Sequence, residues 1–407
     1  MNANLLAVDE LEEPSFIAYQ GLEGLRRLTP EWNLLAQSIT GARFMHFPEW
    51  YRAYLSSLAA DAASVWFIAA YRDQSLVAVF PCQFQSHCIS GLRPRVFGTI
   101  DDDQMQLSDF VFAQTPENEH LLCQLTDWLR SQRTIRWDEL RIRKVAEDSA
   151  IAHAFRARQP AATLALRHDG SSYFDTSGNY DHATRAMSGS FKRNLRRLAR
   201  RAERTAPLRF QSYRRPEEVG PAFEQMVELE ASGWKGTSGS ASAIRCQSAM
   251  LAFYRALVRE FGVRNGCVIN ILWHDEQAVA GQFCLQLGRT LNILKIGFSD
   301  AHAHIAPGNL LLERTLQNAC EDPHTAVVSL VNAPPWSRSF KPLTIGVWSY
   351  CAPNWNVRGC LVHLGLMGKR IWDSLCHPRV LNQRSAPEAE PQTDETGGED
   401  AEAQYAS

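Results

Sequence analysis

The stretch TLNILKIGFSDAHAHIAPGNLLLERTLQNA, residues 290–319, decides how this chain is read. Residues 290–297 read as a β-strand, 298–306 as a polar loop, and Pro307-Gly308-Asn309 as the opening of a helix. Proline suits a first helical turn, where its missing N–H is not needed and its fixed φ is already helical. Leu310, Leu311, Arg314, Thr315 and Leu316 follow at helical spacing, the apolar ones turned toward a sheet. A strand feeding a helix through a Gly-containing loop offers backbone N–H groups and the positive helix end to an anion. That suits a pyrophosphate-bearing cofactor. It also describes an ordinary α/β unit, and the local residues leave both readings open.

Working outward, CVINILWHDEQAVAGQFCLQL (267–287) is apolar run, polar turn, apolar run, the pattern of a hairpin, and 325–331 reads as one more strand. The same order stands earlier in the chain. Residues 66–84 form a hairpin pattern turning at 72–75, followed by a strand at 106–113, a helix at 117–132 set by Leu121, Leu122, Leu125 and Leu129, and a strand at 137–143. YRDQSLVAVFP and WHDEQAVAGQF share an aromatic, a basic side chain, an acid and a Val-Ala pair. A repeated order at one offset reads as two copies of one α/β (α+β) domain, each a mixed, mostly antiparallel sheet flanked by helices. The expected division is a loose arm at 1–14, a first domain at 15–186, a linking helix at 187–206, a second domain at 207–380 and a disordered tail at 381–407. From Arg384 the chain carries seven acidic residues and cannot bury a core.

The linking segment, MSGSFKRNLRRLARRAERT (187–205), is the strongly basic element. Ser190 is a plausible N-cap. Phe191, Leu195, Leu198 and Ala202 make one stripe, with Lys192, Arg193, Arg196, Arg197, Arg200, Arg201 and Arg204 around the rest. A solvated bridge between domains and a dock for phosphates, whose geometry arginine forks match, are both consistent with it. Nucleic acid is disfavoured, because no aromatics interleave the charges. A helix at 214–233 ends in Gly233-Trp234-Lys235-Gly236, a loop able to close over a ligand. Helices are also expected at 22–38, 44–58, 247–261 and 357–375, and a last strand after Pro335.

Composition narrows the class. An apolar share of 45% and a charged share of 21% are those of a globular protein, and a net charge of −2 gives no bulk attraction to nucleic acid or anionic membrane. No signal peptide is expected from the first residues, and no apolar run nears the ~20 residues of a membrane helix. Ten cysteines without a C-x-x-C pair speak against a disulfide framework or thiolate zinc site. A cytoplasmic protein with reduced thiols is the expectation, with membrane association at most peripheral. His302 and His304 form an H-x-H pair with no third ligand at useful spacing, so no metal is expected.

Taken together, KRNLRRLARRAER, ELEASGWKG, LKIGFSDAHAHIAPGNLLL and a late Phe-Lys resemble the CelD-like branch of the GNAT acyltransferase superfamily, which is associated with cellulose and exopolysaccharide synthesis and related to the tandem-GNAT Fem-type aminoacyltransferases. The resemblance implies acyl transfer from acetyl-CoA or another acyl-CoA to an amine or hydroxyl of a small-molecule or glycan-precursor acceptor. It places cofactor contacts at Lys295, Ile305, Ala306, Pro307, Gly308 and Asn309, and acceptor contacts at Arg196, Arg197, Trp234, Lys235 and Phe340. Lys341 completes the late aromatic–Lys pair. Where the family reads Gly-Tyr-Asp and Ser-Pro-Gly, this chain has Gly297-Phe298-Ser299 and Ala306-Pro307-Gly308; the acid usual within 327–330 and the tryptophan usual at Ile345 are missing.

Acyl transfer needs an uncharged nucleophile, a stabilised oxyanion and a protonated leaving thiolate. Glu230, one turn before Trp234, is the candidate base, with a solvent-facing glutamate as the alternative. Lys295, between Leu294 and Ile296, is costly in a buried strand unless paired, so a functional role is expected. Lys341 and Arg196/Arg197 are candidates to hold a charged acceptor, and Tyr350 to protonate the thiolate. A Fem-like transferase using aminoacyl-tRNA would need a larger basic face. A non-catalytic scaffold is the third alternative.

Overall fold

The computed structural model describes residues 13–86, 93–112, 115, 118, 120–157, 159–160, 162–233, 236 and 240–376, the stretch 369–376 as backbone. Trp234, Lys235, nearly all of the 1–14 arm and the acidic tail lie outside these residues.

In chain order the first half holds β1 (Ser15–Gln20), α1 (Gly21–Ser38), α2 (Pro48–Leu55), β2 (Val65–Arg72), β3 (Ser75–Gln85), β4 (Val96–Gly98), β5 (Val111–Phe112), α3 (Leu121–Ser131), β6 (Glu139–Ala146), α4 (Ala150–Ala157) and β7 (Leu164–Asp175). There follow α5 (Tyr180–Ala183), α6 (Gly189–Glu203), β8 (Leu208–Tyr213), α7 (Pro216–Ser232), α8 (Ser248–Gly262), β9 (Cys267–His274), β10 (Gln277–Leu287), β11 (Thr290–Phe298), α9 (Pro307–Glu321), β12 (Val327–Ser329), β13 (Leu343–Pro353) and α10 (Val357–Cys376). The fold is mixed α/β, with one large and mostly antiparallel sheet flanked by helices.

Sheet order is β1-β2-β3-β4-β6-β13-β7-β12-β11-β10-β9-β8, with β5 beside β3. Counted inward from either edge, the pairings repeat: three antiparallel steps, one parallel step (β4–β6 or β11–β12), one antiparallel step. The fifth step carries an exchange. β13, from the end of the chain, completes the first half against β6, and β7, from before the basic helix, completes the second against β12. β7 and β13 also pair with each other, which fuses the halves into one sheet. Sheet membership therefore does not follow a division at residue 186.

Two local readings are corrected. Among the described residues of the strand expected at 106–113, only Val111–Phe112 is extended; the sheet position belongs to β4, whose three residues are too short for a periodic signal. The cap of α6 is Ser188 rather than Ser190: the Ser188 hydroxyl accepts from the Phe191 N–H at 3.2 Å.

One face of the sheet is covered by α1, α2, α7 and α8, whose apolar residues form a single cluster across both halves. Trp50 of α2 meets Phe253 of α8 edge-on, ring centroids 5.2 Å apart. Burying a side chain of this kind contributes about 1.5–3 kcal/mol. The opposite face is covered by α3 and α4 in the first half and by α6 and α9 in the second. Two glycines bring α7 down onto the sheet. A Cβ on Gly281 would lie 2.8 Å from Met226 Cγ, and one on Gly297 2.8 Å from Glu230 Cβ.

Candidate active site

β11 pairs with β12 only over Thr290–Asn292, opposite Val327–Ser329, while its ladder with β10 runs on to Phe298. β12 is drawn toward β7, where the Leu330 N–H donates to the Ser172 carbonyl at 2.8 Å and Val331 takes φ +63. Two parallel neighbours therefore part midway, opening a cleft along the second half of β11. Where β11 ends, the chain makes a tight 3-10 turn, Asp300–Ile305, and enters α9 through Ala306 in the left-handed region.

This turn revises the expected open loop. The N–H groups of His302 and Ala306 bond back to Ser299 and Ala303, and the Ser299 N–H donates to the Val279 carbonyl. Ile305 is buried, so its side chain shapes the turn by packing. In the first turn of α9, Pro307 has no N–H and the Asn309 N–H donates to the Ala306 carbonyl at 3.0 Å, which leaves the Gly308 amide as the donor for an anion. There a Cβ on Gly308 would find Phe298 at 3.6 Å and Ile296 at 4.0 Å, ordinary contacts that leave α9 beside the end of β11.

On the other face of that strand end, Glu230, Tyr254 and Lys295 converge. Glu230 is only 2% exposed, because Gly297 lets α7 lie directly on β11, and its carboxylate accepts from the Ile244 N–H at 3.0 Å. The solvent-facing alternative for this residue does not hold. Lys295 is half-buried, its Nζ 5.8 Å from the centroid of the Tyr254 ring. Tyr254 itself is 2% exposed, and its hydroxyl donates to Gln104 Oε1 at 2.9 Å. Burial, and then the charges of Glu230 and Asp102, push that hydroxyl well above its ordinary value, so it stays protonated.

Gln104 belongs to the first half, so both halves build this corner. Asp102 accepts from the Gln104 backbone N–H at 2.8 Å, and burial raises its carboxyl above the usual range. Neither Tyr254 nor Gln104 was singled out by the sequence. Tyr254 sits in an apolar helix pattern that reads as core, and Gln104 lies in a loop 150 residues away in the chain.

The basic helix flanks the same corner. Leu198 and Ala199 of α6 share a small apolar cluster with Ala306, Leu310 and Phe298. Arg193, Arg196, Arg197, Arg200, Arg201 and Arg204 all face solvent. Arg197 donates to Asn194 on its own helix at 2.9 Å. Arg196 lies near Glu313 of α9, whose carboxyl is raised by burial and eased by the Tyr180 hydroxyl at 3.2 Å and by Arg314 and Arg196.

Other expected residues fall elsewhere. Phe340 is 1% exposed, edge-on to Phe191 at 5.0 Å, so it is core and presents no face to an acceptor. Lys341 follows it on an exposed turn at φ +51. Tyr350 stacks on Phe155 at 3.9 Å in the first half, because β13 crosses over, and so does not reach the thiolate position. His302 gains the third imidazole that the sequence did not show, with His274 5.7 Å away. Burial and the two neighbouring histidines hold His302 below its usual value. Among the described residues, no group of three or more His, Cys, Asp or Glu is placed to hold a metal.

The matching corner of the first half is closed. β4 and β6 part after Gly98 and Arg141, but the chain after β4 folds into the gap, with the Thr99 N–H on the Arg141 carbonyl at 3.1 Å and the Ser108 N–H on the Lys144 carbonyl at 3.0 Å. The cavity left, bordered by Tyr51, Thr99 and Asp109, is about 10 Å³, at most one water.

A family profile matches within the second half. Residues 189–338 match the family profile described as Acetyltransferase (GNAT) domain. No curated protein matches the sequence. Among solved structures, L-PGS from Bacillus licheniformis is similar at 12% identity and TM-score 0.50, covering 86% of this chain and 98% of that one. FemX aligns at 10% identity and TM-score 0.46, covering 80% and 96%, and a tandem GNAT protein from the clavulanic acid biosynthesis pathway at 11% and 0.45, covering 84% and 98%.

Proposed function

We infer that the protein is an enzyme, an acyltransferase, from the match of residues 189–338 to the acetyltransferase (GNAT) family profile. We propose that it takes the acyl group from acetyl-CoA or a longer acyl-CoA and transfers it to an amine or hydroxyl of an envelope or exopolysaccharide precursor, as the resemblance to the CelD-like branch implies. The observation that carries this reading is the parting of β11 from β12 beside the first turn of α9, with Glu230 and Lys295 at the same strand end. The α9 N-terminus and the arginines of α6 supply positive charge for the phosphates of an acyl-CoA laid between the two strands.

Bound there, an acyl-CoA supplies an activated carbonyl. An alkyl amine has a pKa near ~10.4, so it must lose a proton before it attacks. Glu230 takes that proton, the nitrogen bonds the acyl carbon as the C–S bond breaks, and the departing CoA thiolate is protonated from water. Lys295, held over Tyr254, places a positive charge toward the developing oxyanion. Trp234 and Lys235, which follow α7, belong to the acceptor side of this reading, and Lys341 with Arg196 to the holding of a charged acceptor.

Isothermal titration with acetyl-CoA and longer acyl-CoAs tests it. Binding is expected, weakened about tenfold or more by Lys295→Ala and by Gly308→Glu with the circular dichroism spectrum unchanged. No heat with any acyl-CoA, together with salt-dependent retention of charged tRNA on filters, would replace the donor with an aminoacyl-tRNA. Failure of both would leave a scaffold.

A further inference from the structure

α10 carries an apolar stripe with nothing described over it. Val357, Leu361 and Leu364, at i, i+4 and i+7, are 80%, 52% and 64% exposed, and Trp355 just before the helix is 55% exposed. The opposite face is seated on the protein. Val362 is 1% exposed, and a Cβ on Gly359 would fall 2.5 Å from the Asp138 carbonyl oxygen. The first turn is pinned where Arg358 donates to the Arg93 carbonyl at 2.9 Å and Asn356 to Asp138 Oδ1 at 3.3 Å.

Beside that anchor lies an open groove of about 690 Å³ bordered by Phe84, Arg93, Arg95 and Arg136. Two guanidiniums hold the buried carboxylate of Asp138, Arg95 at 2.7 Å and Arg358 at 4.0 Å, while Arg93 and Arg136 line the groove beside it. The sequence from 357 to 372 adds Lys369 and Arg370 and contains no Asp or Glu. The helix is not long and apolar enough to cross a membrane.

We propose that α10 lies on an anionic lipid bilayer, its Val357–Leu361–Leu364 stripe in the acyl boundary and Arg93, Arg136 and Arg358 on the headgroup phosphates. A basic amphipathic helix with an apolar stripe is the form that rests in a bilayer interface. Trp355 stands at the end of the stripe, where an indole sits at headgroup level, and guanidinium forks match phosphodiester oxygens. A second copy is the poorer occupant, since a two-fold contact through this face would bring its arginines against one another. The inference does not depend on which acceptor the enzyme uses.

Co-sedimentation of the full chain decides it, using vesicles of phosphatidylcholine alone and of an equimolar mixture with phosphatidylglycerol. Binding is expected to the mixed vesicles, to fall with added salt and to be slight on phosphatidylcholine. Leu361→Glu with Leu364→Glu, and separately Arg93→Glu with Arg136→Glu, should each weaken it roughly tenfold or more, with melting temperature unchanged because all four side chains are exposed. No binding by the natural chain would overturn the proposal, as would undiminished binding by both double variants. So would a dimer in size-exclusion chromatography that the leucine pair converts to monomer.

Discussion

Glu230 and Gly297 meet so closely that a Cβ on the glycine would lie 2.8 Å from Glu230 Cβ and 3.0 Å from its Cα. The position of the candidate base is therefore set by a missing side chain on the strand beneath it. Gly297→Ala has to push α7 off β11, at a cost of about 1–3 kcal/mol. The melting temperature should fall, and acyl transfer should fall further than the lost stability explains; thermal unfolding and initial rates measured side by side check this.

Replacing the carboxylate while keeping its shape separates chemistry from packing. In Glu230→Gln the amide oxygen can still accept from the Ile244 N–H, so folding should be nearly unchanged. Loss of a general base lowers turnover by roughly 10²–10⁴. Steady-state kinetics should show the loss in kcat with acyl-CoA affinity retained. Full turnover by the variant would reassign the proton acceptor.

Acid stability should report on Asp138. Its burial alone would raise the carboxyl, but hydrogen bonds from the Arg95 side chain and backbone outweigh that and leave it below the ordinary 3.8. A depressed folded-state value means the stabilisation is present above the unfolded value and disappears as pH drops through the folded one. Arg95→Ala removes the side-chain hydrogen bonds but leaves those from the backbone N–H of residue 95 and from Asn356, so it should cost about 1.5–3 kcal/mol at neutral pH and less once the solution is acid enough to protonate the carboxylate. Urea unfolding at neutral and strongly acid pH gives the comparison.

Cutting the chain between residues 186 and 187 should yield two pieces that do not fold apart. The first piece lacks β13 and the second lacks β7, so each exposes the ladder of a central strand. Expressed singly they should be insoluble or molten; co-expressed, they should recover the native circular dichroism and a single elution peak.

What the residues disclosed in advance depends on the range over which each element finds its partners. The hairpins, the Pro307-led helix and the basic stripe of α6 are decided by neighbours within a few residues, and they are legible. β7 is not. Its LALRHDGSSYFD lacks clean alternation because it lies between two strands from far along the chain, β12 and β13. The site divides in the same way. Gly308 and Lys295 stand within a local pattern, whereas Tyr254 is spelled like any core aromatic and Gln104 comes from the other half. Phe340 was placed by the family resemblance and is taken up by the core of the second half, whereas β13 carries Tyr350 across into the first.

The crossing of the two completing strands has a consequence for biosynthesis. A ribosome working from the N-terminus delivers β6 long before β13, so the early part of the molecule waits, its inner edge open, until Leu343–Pro353 has emerged. Such an edge invites pairing with other nascent chains. Yield in the cell should therefore depend on chaperone capacity and translation speed more than the final stability would suggest.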